Sequence, residues 1–205
     1  MTARSGYYLK IPFVWALGCP LPTRGHQLRF RTADPAWLVG ALSSVLATSP
    51  DPAVQLAVSE HGPHQAASIL LASSSPHFEH LPELWQLAET AASQPVGFAL
   101  PSMFTGQPGN ALRRGTIFYL GVLPEHRDKD YGHELLAQAT RVLCQVGVGR
   151  ILCDTAACNR PMIAAFRAAG YIEKEPWERP LRSQGLTLAR FELQTVLCAN
   201  EADLS

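Results

Sequence analysis

Arg127, Lys129, Gly132 and His133 lie together in Glu125-His-Arg-Asp-Lys-Asp-Tyr-Gly-His133, and residues of these types can hold an anion. The two cations supply charge, and a glycine lets the backbone approach a ligand closely. Behind this stretch, Leu135, Leu136, Ala139, Val142, Leu143 and Val146 recur at helical spacing, so a long amphipathic helix begins at the loop. The first turn of a helix has unpaired N–H donors, and its dipole adds partial positive charge there. In front of the loop, Thr116-Ile-Phe-Tyr-Leu-Gly-Val-Leu123 is rich in β-branched and aromatic residues and reads as a buried strand that Pro124 stops. Strand, loop and helix start therefore suggest a phosphate-bearing ligand seated above Arg127 to His133.

A second segment follows the same logic. Arg150-Ile-Leu-Cys153 reads as another apolar strand running into Asp154-Thr-Ala-Ala-Cys-Asn159. Arg160 to Ala169 then reads as a short helix. Asn159 suits its N-cap, Pro161 is tolerated in its first turn and Gly170 suits its C-cap.

Together the two segments resemble the coenzyme-binding motifs of the GCN5-related N-acetyltransferases, the GNAT family. The family's first motif is Arg or Gln, two residues, Gly, one residue, then Gly or Ala, after a strand ending near a valine. Arg127, Asp130 and Gly132 fall on those positions, with Val122 as the valine. Asp130 replaces the motif's first glycine, and Asp128 stands where the family often has another. A carboxylate repels a pyrophosphate at short range, whereas aspartate accepts left-handed backbone better than most residues. The later motif, Asn, a short helix with an aromatic residue, then Gly and an aromatic, is matched by Asn159, Phe166, Gly170 and Tyr171. The resemblance runs from about Leu28 to Leu197.

The resemblance implies an α+β chain with the GNAT fold, a central mixed, mostly antiparallel sheet flanked by helices. It implies acetyl-CoA as co-substrate, no metal, and transfer of the acetyl group to an amine. The loop from Arg127 through Asp128, Lys129, Asp130, Tyr131 and Gly132 to His133 would hold the pyrophosphate. The strand edge at Leu120 and Val122 would take the pantetheine arm, with the Val122 N–H polarising the thioester carbonyl. Asn159 would hydrogen-bond the arm and Phe166 would pack against it.

Acyl transfer to an amine needs the ammonium, with an ordinary pKa near ~10.4, to lose a proton, and the departing thiolate to gain one. Many family members place a glutamate early on the central strand, where this chain has Gly115-Thr116-Ile117, and a tyrosine on the short helix, where it has Phe166. Tyr119, on the central strand, is the remaining candidate acid, with Glu89 and His126 as the other titratable groups to weigh. Proximity and orientation alone still support acyl transfer. The same departures fit an alternative, a catalytically degenerate GNAT-like domain acting as an acyl-CoA sensor or interaction module.

The positioning elements read as follows. Met1 to Gly25 is expected to be an N-terminal extension packing on the domain or a partner subunit, residues 26–198 the acetyltransferase domain, and 199–205 a tail. Gln27 to Thr32 reads as the first strand, and Asp34-Pro35 starts a helix with Trp37, Leu38, Ala41, Leu42, Val45 and Leu46 on its apolar face. The region from Pro50 to Pro82 leans towards helix. Leu84–Glu89 and Pro95–Leu100 read as strands, Ser102–Arg114 as a loop, and Tyr171–Trp177 with Leu186–Leu197 as a closing antiparallel pair.

Seventeen basic and seventeen acidic side chains cancel, so charge gives no reason to expect a nucleic-acid or membrane-surface partner. The expected partner is a small-molecule or peptide amine, and a homodimer, common in the family, would suit the apolar N-terminal patch. The five cysteines form no CxxC pair and read as reduced thiols of a cytoplasmic protein. Ile11 to Leu17 is short and broken by Pro12, so no export signal is expected. His61, His64, His77 and His80 are spread without metal-ligand spacing.

Overall fold

A computed structural model describes residues 5–23, 27–72, 78–105 and 112–181. Its described strands are β1 (Tyr7–Ala16), β2 (Arg29–Thr32), β3 (Phe78–His80), β4 (Gln86–Glu89), β5 (Pro95–Phe104), β6 (Arg113–Val122), β7 (Val148–Ala156), β8 (Ile172–Glu173) and β9 (Trp177–Pro180). They form one sheet in the order β2-β4-β5-β6-β7-β1-β8, with β3 added to β5 and β9 to β1. The pairings are antiparallel except that of β6 with β7.

Helices cover both faces. On one side lie α1 (Pro35–Leu46), α2 (Pro52–His61) and α3 (Pro63–Ala72); on the other lie α4 (Tyr131–Gln145) and α5 (Arg160–Ala168). Leu38, Leu42 and Val45 of α1 and Leu70 of α3 bury against Leu87, Phe98 and Leu100. Leu135, Leu136, Ala139 and Leu143 of α4 bury against Phe13, Val96, Ala99 and Ile151. Both long apolar faces read from the sequence are therefore used, and burying them is the main favourable term in folding. Asp34 and Asp51 each precede a proline and accept a backbone N–H, from Ala36 and Ala53, both at 2.9 Å, which fixes where α1 and α2 start.

Within the 1–25 segment, expected to be an extension packing on the domain or a partner subunit, the described residues supply a strand of the sheet itself. Tyr7–Ala16 is a strand inside the sheet, antiparallel to β7 from Lys10↔Ala156 to Ala16↔Arg150, with β8 and β9 on its far side. The apolar run Ile11–Leu17 is apolar because Phe13, Val14 and Trp15 are core residues. Of the expected pair 171–177 and 186–197, the first half holds β8 and β9, which pair with β1, and residues 186–197 lie outside the described residues. Strand β5 also continues to Phe104, past the expected start of the loop, and residues 106–111 lie outside the description.

Candidate functional site

Strands β6 and β7 start side by side and then part. Their pairing is described only for Arg113↔Val148, Arg114↔Arg150 and Gly115↔Ile151. A bulge lies just beyond it. Leu100 opposes Tyr119 and Pro101 opposes Ile117, leaving Phe118 as the extra residue, and an extra residue bends its strand. Between the diverging arms is a cavity of ≈ 30 Å³ lined by Thr116, Ile117 and Phe118 on one side and Leu152, Cys153 and Asp154 on the other. Burial pushes the Cys153 thiol up to about 12, so it is a neutral wall residue. Leu123 sends its N–H to Val96 on β5 at 2.9 Å. Strand N–H groups alternate in direction, so those of Val122 and Leu120 turn towards the opening.

At the end of β6 a short turn, Pro124–His126, leads into the loop. Asp128 has φ 62° and Asp130 φ 56°, both left-handed. The two aspartates that stand in for glycines thus take up the backbone geometry that glycine would supply, at the steric cost of a Cβ. Asp130 precedes α4 without capping it through its side chain. His133 N–H returns to the Asp130 carbonyl at 3.0 Å, while those of Asp128, Lys129, Asp130, Tyr131 and Gly132 find no acceptor among the described residues. A Cβ added at Gly132 would meet nothing within 4 Å, so the space above the helix start is open. Open donors, a helix dipole and the exposed Arg127 and Lys129 are features an anion could use, with Asp128 and Asp130 offsetting the two cations. These features fit the pyrophosphate of a coenzyme. Asp130 faces His133 Nδ1 at 3.8 Å, so one carboxylate is turned along the helix.

Tyr119 sits on the α1 side, partly buried, its ring stacked on Phe98 with centroids 6.2 Å apart. Burial, then the charge of Asp51, raises its pKa well above the ordinary tyrosine value, although a hydrogen bond with the Ser49 side chain works the other way. Leu120 and Val122 pack on the α4 side. Asn159 caps α5, its Oδ1 accepting the Met162 N–H at 3.4 Å. Phe166 is a core residue, 4% exposed and stacked on Phe13 at 4.6 Å. Tyr119, Leu120, Val122 and the 127–133 loop therefore gather at one end of the opening, Asn159 stands beyond the end of β7, and Phe166 lies beneath. Glu89 is tied to Arg31 at 2.8 Å on β2, across the sheet, and His126 is buried.

The sequence reading missed the α1–α2 loop. Thr48 Oγ1 accepts from Arg127 Nη2 at 2.6 Å, Pro50 O accepts from Cys158 Sγ at 3.1 Å, and Asp51 Oδ2 lies 3.0 Å from Lys10 Nζ. Lys10 also lies 3.0 Å from Asp154 Oδ1 on β7. The loop thus spans both arms of the opening. Burial would lower the Lys10 pKa, but Asp154 and Asp51 outweigh it and hold that pKa above the ordinary lysine value. A signal was present: Lys10 and Asp154 are each a charge in an apolar strand, and a charge in such a place must be paired. Beside the loop an open groove of ≈ 440 Å³ is lined by Thr48, Ser49, Gln55 and Ser59 among others.

Among the described residues no group of three or more His, Cys, Asp or Glu could hold a metal ion, and no helix is long and apolar enough to cross a membrane. The model of the acetyltransferase (GNAT) family matches residues 56–171, and the chain belongs to that family. Solved structures agree on the fold. A GCN5-related N-acetyltransferase from Sphaerobacter thermophilus matches with a TM-score of 0.52 at 20% identity, over 90% of this chain and 56% of its own. A fungal GCN5-related glucosamine N-acetyltransferase region, within a multi-domain GH3 β-N-acetylglucosaminidase, matches with 0.52 at 13% identity, over 83% of this chain and 20% of its own. A chain of the NatC complex bound to Gag peptide and CoA matches with 0.50 at 15% identity, over 77% of this chain and 100% of its own. At these identities the likeness concerns the fold. The chain spans about half the length of the Sphaerobacter structure and a fifth of the fungal chain. No curated protein sequence matches it.

Proposed function

We propose that the protein is an acetyl-CoA-dependent N-acetyltransferase that moves an acetyl group onto an amine of a small molecule or peptide. The observation that carries this is the run of open N–H groups from Asp128 to Gly132, set at the start of α4 beside the parting strands. In this reading residues 26–198 are the transferase domain, completed by β1 from the 1–25 segment, and 199–205 are a tail. The described cysteines Cys19, Cys144, Cys153 and Cys158 are unpaired, in keeping with a cytoplasmic protein.

Acetyl-CoA supplies an activated acetyl group as a thioester. The backbone from Asp128 to Gly132, with His133 closing the turn, holds the pyrophosphate, and Arg127 and Lys129 add charge. The Leu120 and Val122 N–H groups turn towards the opening and suit the pantetheine arm and the thioester carbonyl. Asn159 stands where it can bond the arm, and Phe166 supports the site from the core. Tyr119 keeps its proton at neutral pH and is the group that can donate one. The acceptor approaches from the α1–α2 side, where the groove lies.

The test is calorimetric titration with acetyl-CoA, beside an Arg127→Ala, Lys129→Ala double variant. Micromolar binding that weakens at least tenfold in the variant, about 1.4 kcal/mol, supports the reading. No heat and no thermal stabilisation would abandon it.

The carboxylates of Asp128 and Asp130 beside the pyrophosphate seat, and Phe166 in place of a tyrosine, favour a second reading as an acyl-CoA sensor or interaction module. Tight acetyl-CoA binding without turnover of any amine in a broad panel would select it.

A further inference from the structure

Consecutive residues of the α1–α2 loop each touch a different part of the site. Thr48 accepts from Arg127, Ser49 bonds the Tyr119 hydroxyl, Pro50 O accepts from Cys158 and Asp51 holds Lys10. Ser49 is held from several sides. Its Oγ accepts the Asp51 N–H at 3.2 Å, and its carbonyl accepts from Gln55 Nε2 at 3.3 Å. Asp51 is pinned in turn through both oxygens, Oδ1 by the Ala53 N–H at 2.9 Å and Oδ2 by Lys10 Nζ at 3.0 Å. Across from this fixed hydroxyl stands Tyr119, its ring stacked on Phe98, beside the Leu120 whose N–H turns towards the opening.

A hydroxyl has one hydrogen to give and two lone pairs to accept with. The Asp51 N–H uses a lone pair of Ser49 Oγ and leaves its hydrogen for Tyr119. A phenol that has lost its proton can only accept, and Ser49 is placed to donate to it. The same bond works against the rise that burial and the Asp51 charge impose on the Tyr119 pKa.

We propose that Ser49 is a positioning residue for the transfer, fixing the Tyr119 hydroxyl and stabilising the tyrosinate left when its proton goes to sulfur. The proposal rests on the transferase reading, with Tyr119 as the acid. The acceptor enters as the free amine, its ammonium proton already lost to solvent. Its lone pair forms the C–N bond, the C–S bond breaks, and the sulfur takes the Tyr119 proton and leaves as the thiol of coenzyme A. The nitrogen then carries one proton too many, which passes through water to the tyrosinate and restores Tyr119.

Hydroxylamine is the test nucleophile, because it is a free base at neutral pH and asks nothing of a general base. The full-length protein is given acetyl-CoA and hydroxylamine, and acetohydroxamic acid is followed as its iron(III) complex above the uncatalysed rate. Ser49→Ala is expected to lower kcat about tenfold, while acetyl-CoA affinity and the hydroxylamine KM stay within about twofold. Ser49→Thr, which keeps the hydroxyl, should recover at least about half of the wild-type kcat. In a Tyr119→Phe background, Ser49→Ala should change kcat by less than about twofold, since the group it serves is gone. An equal fall in both backgrounds would overturn the proposal, as would Ser49→Ala at the wild-type rate or Ser49→Thr as slow as the alanine. If Ser49→Ala does not fold, Ser49→Cys takes the same comparison, because a thiol is a weak donor. Tyr119→Phe at the wild-type rate overturns the Ser49 role together with the acid and leaves the transferase reading standing. Acetyl-CoA titration of the wild type separates the remaining failures. Binding without hydroxamate selects the sensor reading, and no binding removes the coenzyme; either result overturns the Ser49 role with the transfer it would serve.

Discussion

Arg127 Nη2 donates to Thr48 Oγ1 at 2.6 Å, so the loop at the start of α4 is tied to the end of α1, on the other side of the sheet. A guanidinium has five donors, and this bond uses one of them. Thr48→Val is expected to leave acetyl-CoA affinity within about twofold, because the charge of Arg127 rather than its tether does the holding. A tenfold loss by calorimetry would show instead that the tether aims the side chain.

Asp128 and Asp130 hold positive φ where a glycine would be at ease, and both add negative charge beside an anion seat. Asp128→Gly should relieve both costs at that position. The expected result is acetyl-CoA binding tighter by about tenfold, of order 1 kcal/mol from charge and backbone together. Weaker binding in a folded variant would mean that the carboxylate itself contacts the ligand.

Glu134 is 5% exposed, and its two oxygens accept the N–H groups of Gln27 and Leu28 at 3.2 and 3.3 Å, which fixes the approach to β2. Glu134→Ala strands those donors in the interior. Stability by urea unfolding should fall by about 2–3 kcal/mol, the cost of losing bonds to a charged acceptor. A fall under about 0.5 kcal/mol would show that water reaches the two amides.

Burial pushes the Tyr8 hydroxyl up to about 12, against the pull of Lys10. A pKa raised on folding adds stability that is complete below the unfolded value, ~10, and is lost as pH climbs through the folded value. Urea unfolding should therefore show roughly 2–3 kcal/mol from Tyr8 disappearing between pH ~10 and ~12. Tyr8→Phe should flatten that part of the alkaline fall; an equally steep fall in the variant would assign it elsewhere.

Tyr119→Phe keeps the ring on Phe98 and removes the hydroxyl. Turnover of an acceptor amine should drop about 10²-fold or more while acetyl-CoA affinity holds within twofold. Unchanged turnover would reduce Tyr119 to a packed strand residue.

Most of the frame was legible because it rests on local rules. The helical spacing of Leu135 to Leu143, the Asp34-Pro35 start and the Asn159 cap are decided within a few residues of chain. The loop between β6 and α4 could be placed for the same reason, even with aspartates in two glycine places. Strand Tyr7–Ala16 could not be assigned, because its apolar run suits any buried segment and its partners on β7 lie far along the chain. The bulge at Phe118 was equally hidden, since it depends on register against β5 rather than on composition. The Lys10, Asp51 and Asp154 trio joins three separate elements, and only the lone charges in two apolar strands hinted at it.

The place of β1 bears on how the protein is made. Its hydrogen bonds to β7 join two ends of a long stretch of chain, and closing so large a loop has to precede the contacts that reward it. Until β7 has been synthesised and laid down, Phe13, Val14 and Trp15 have no sheet to enter. A nascent chain therefore carries an apolar β-segment without its sheet partner until β7 is in place.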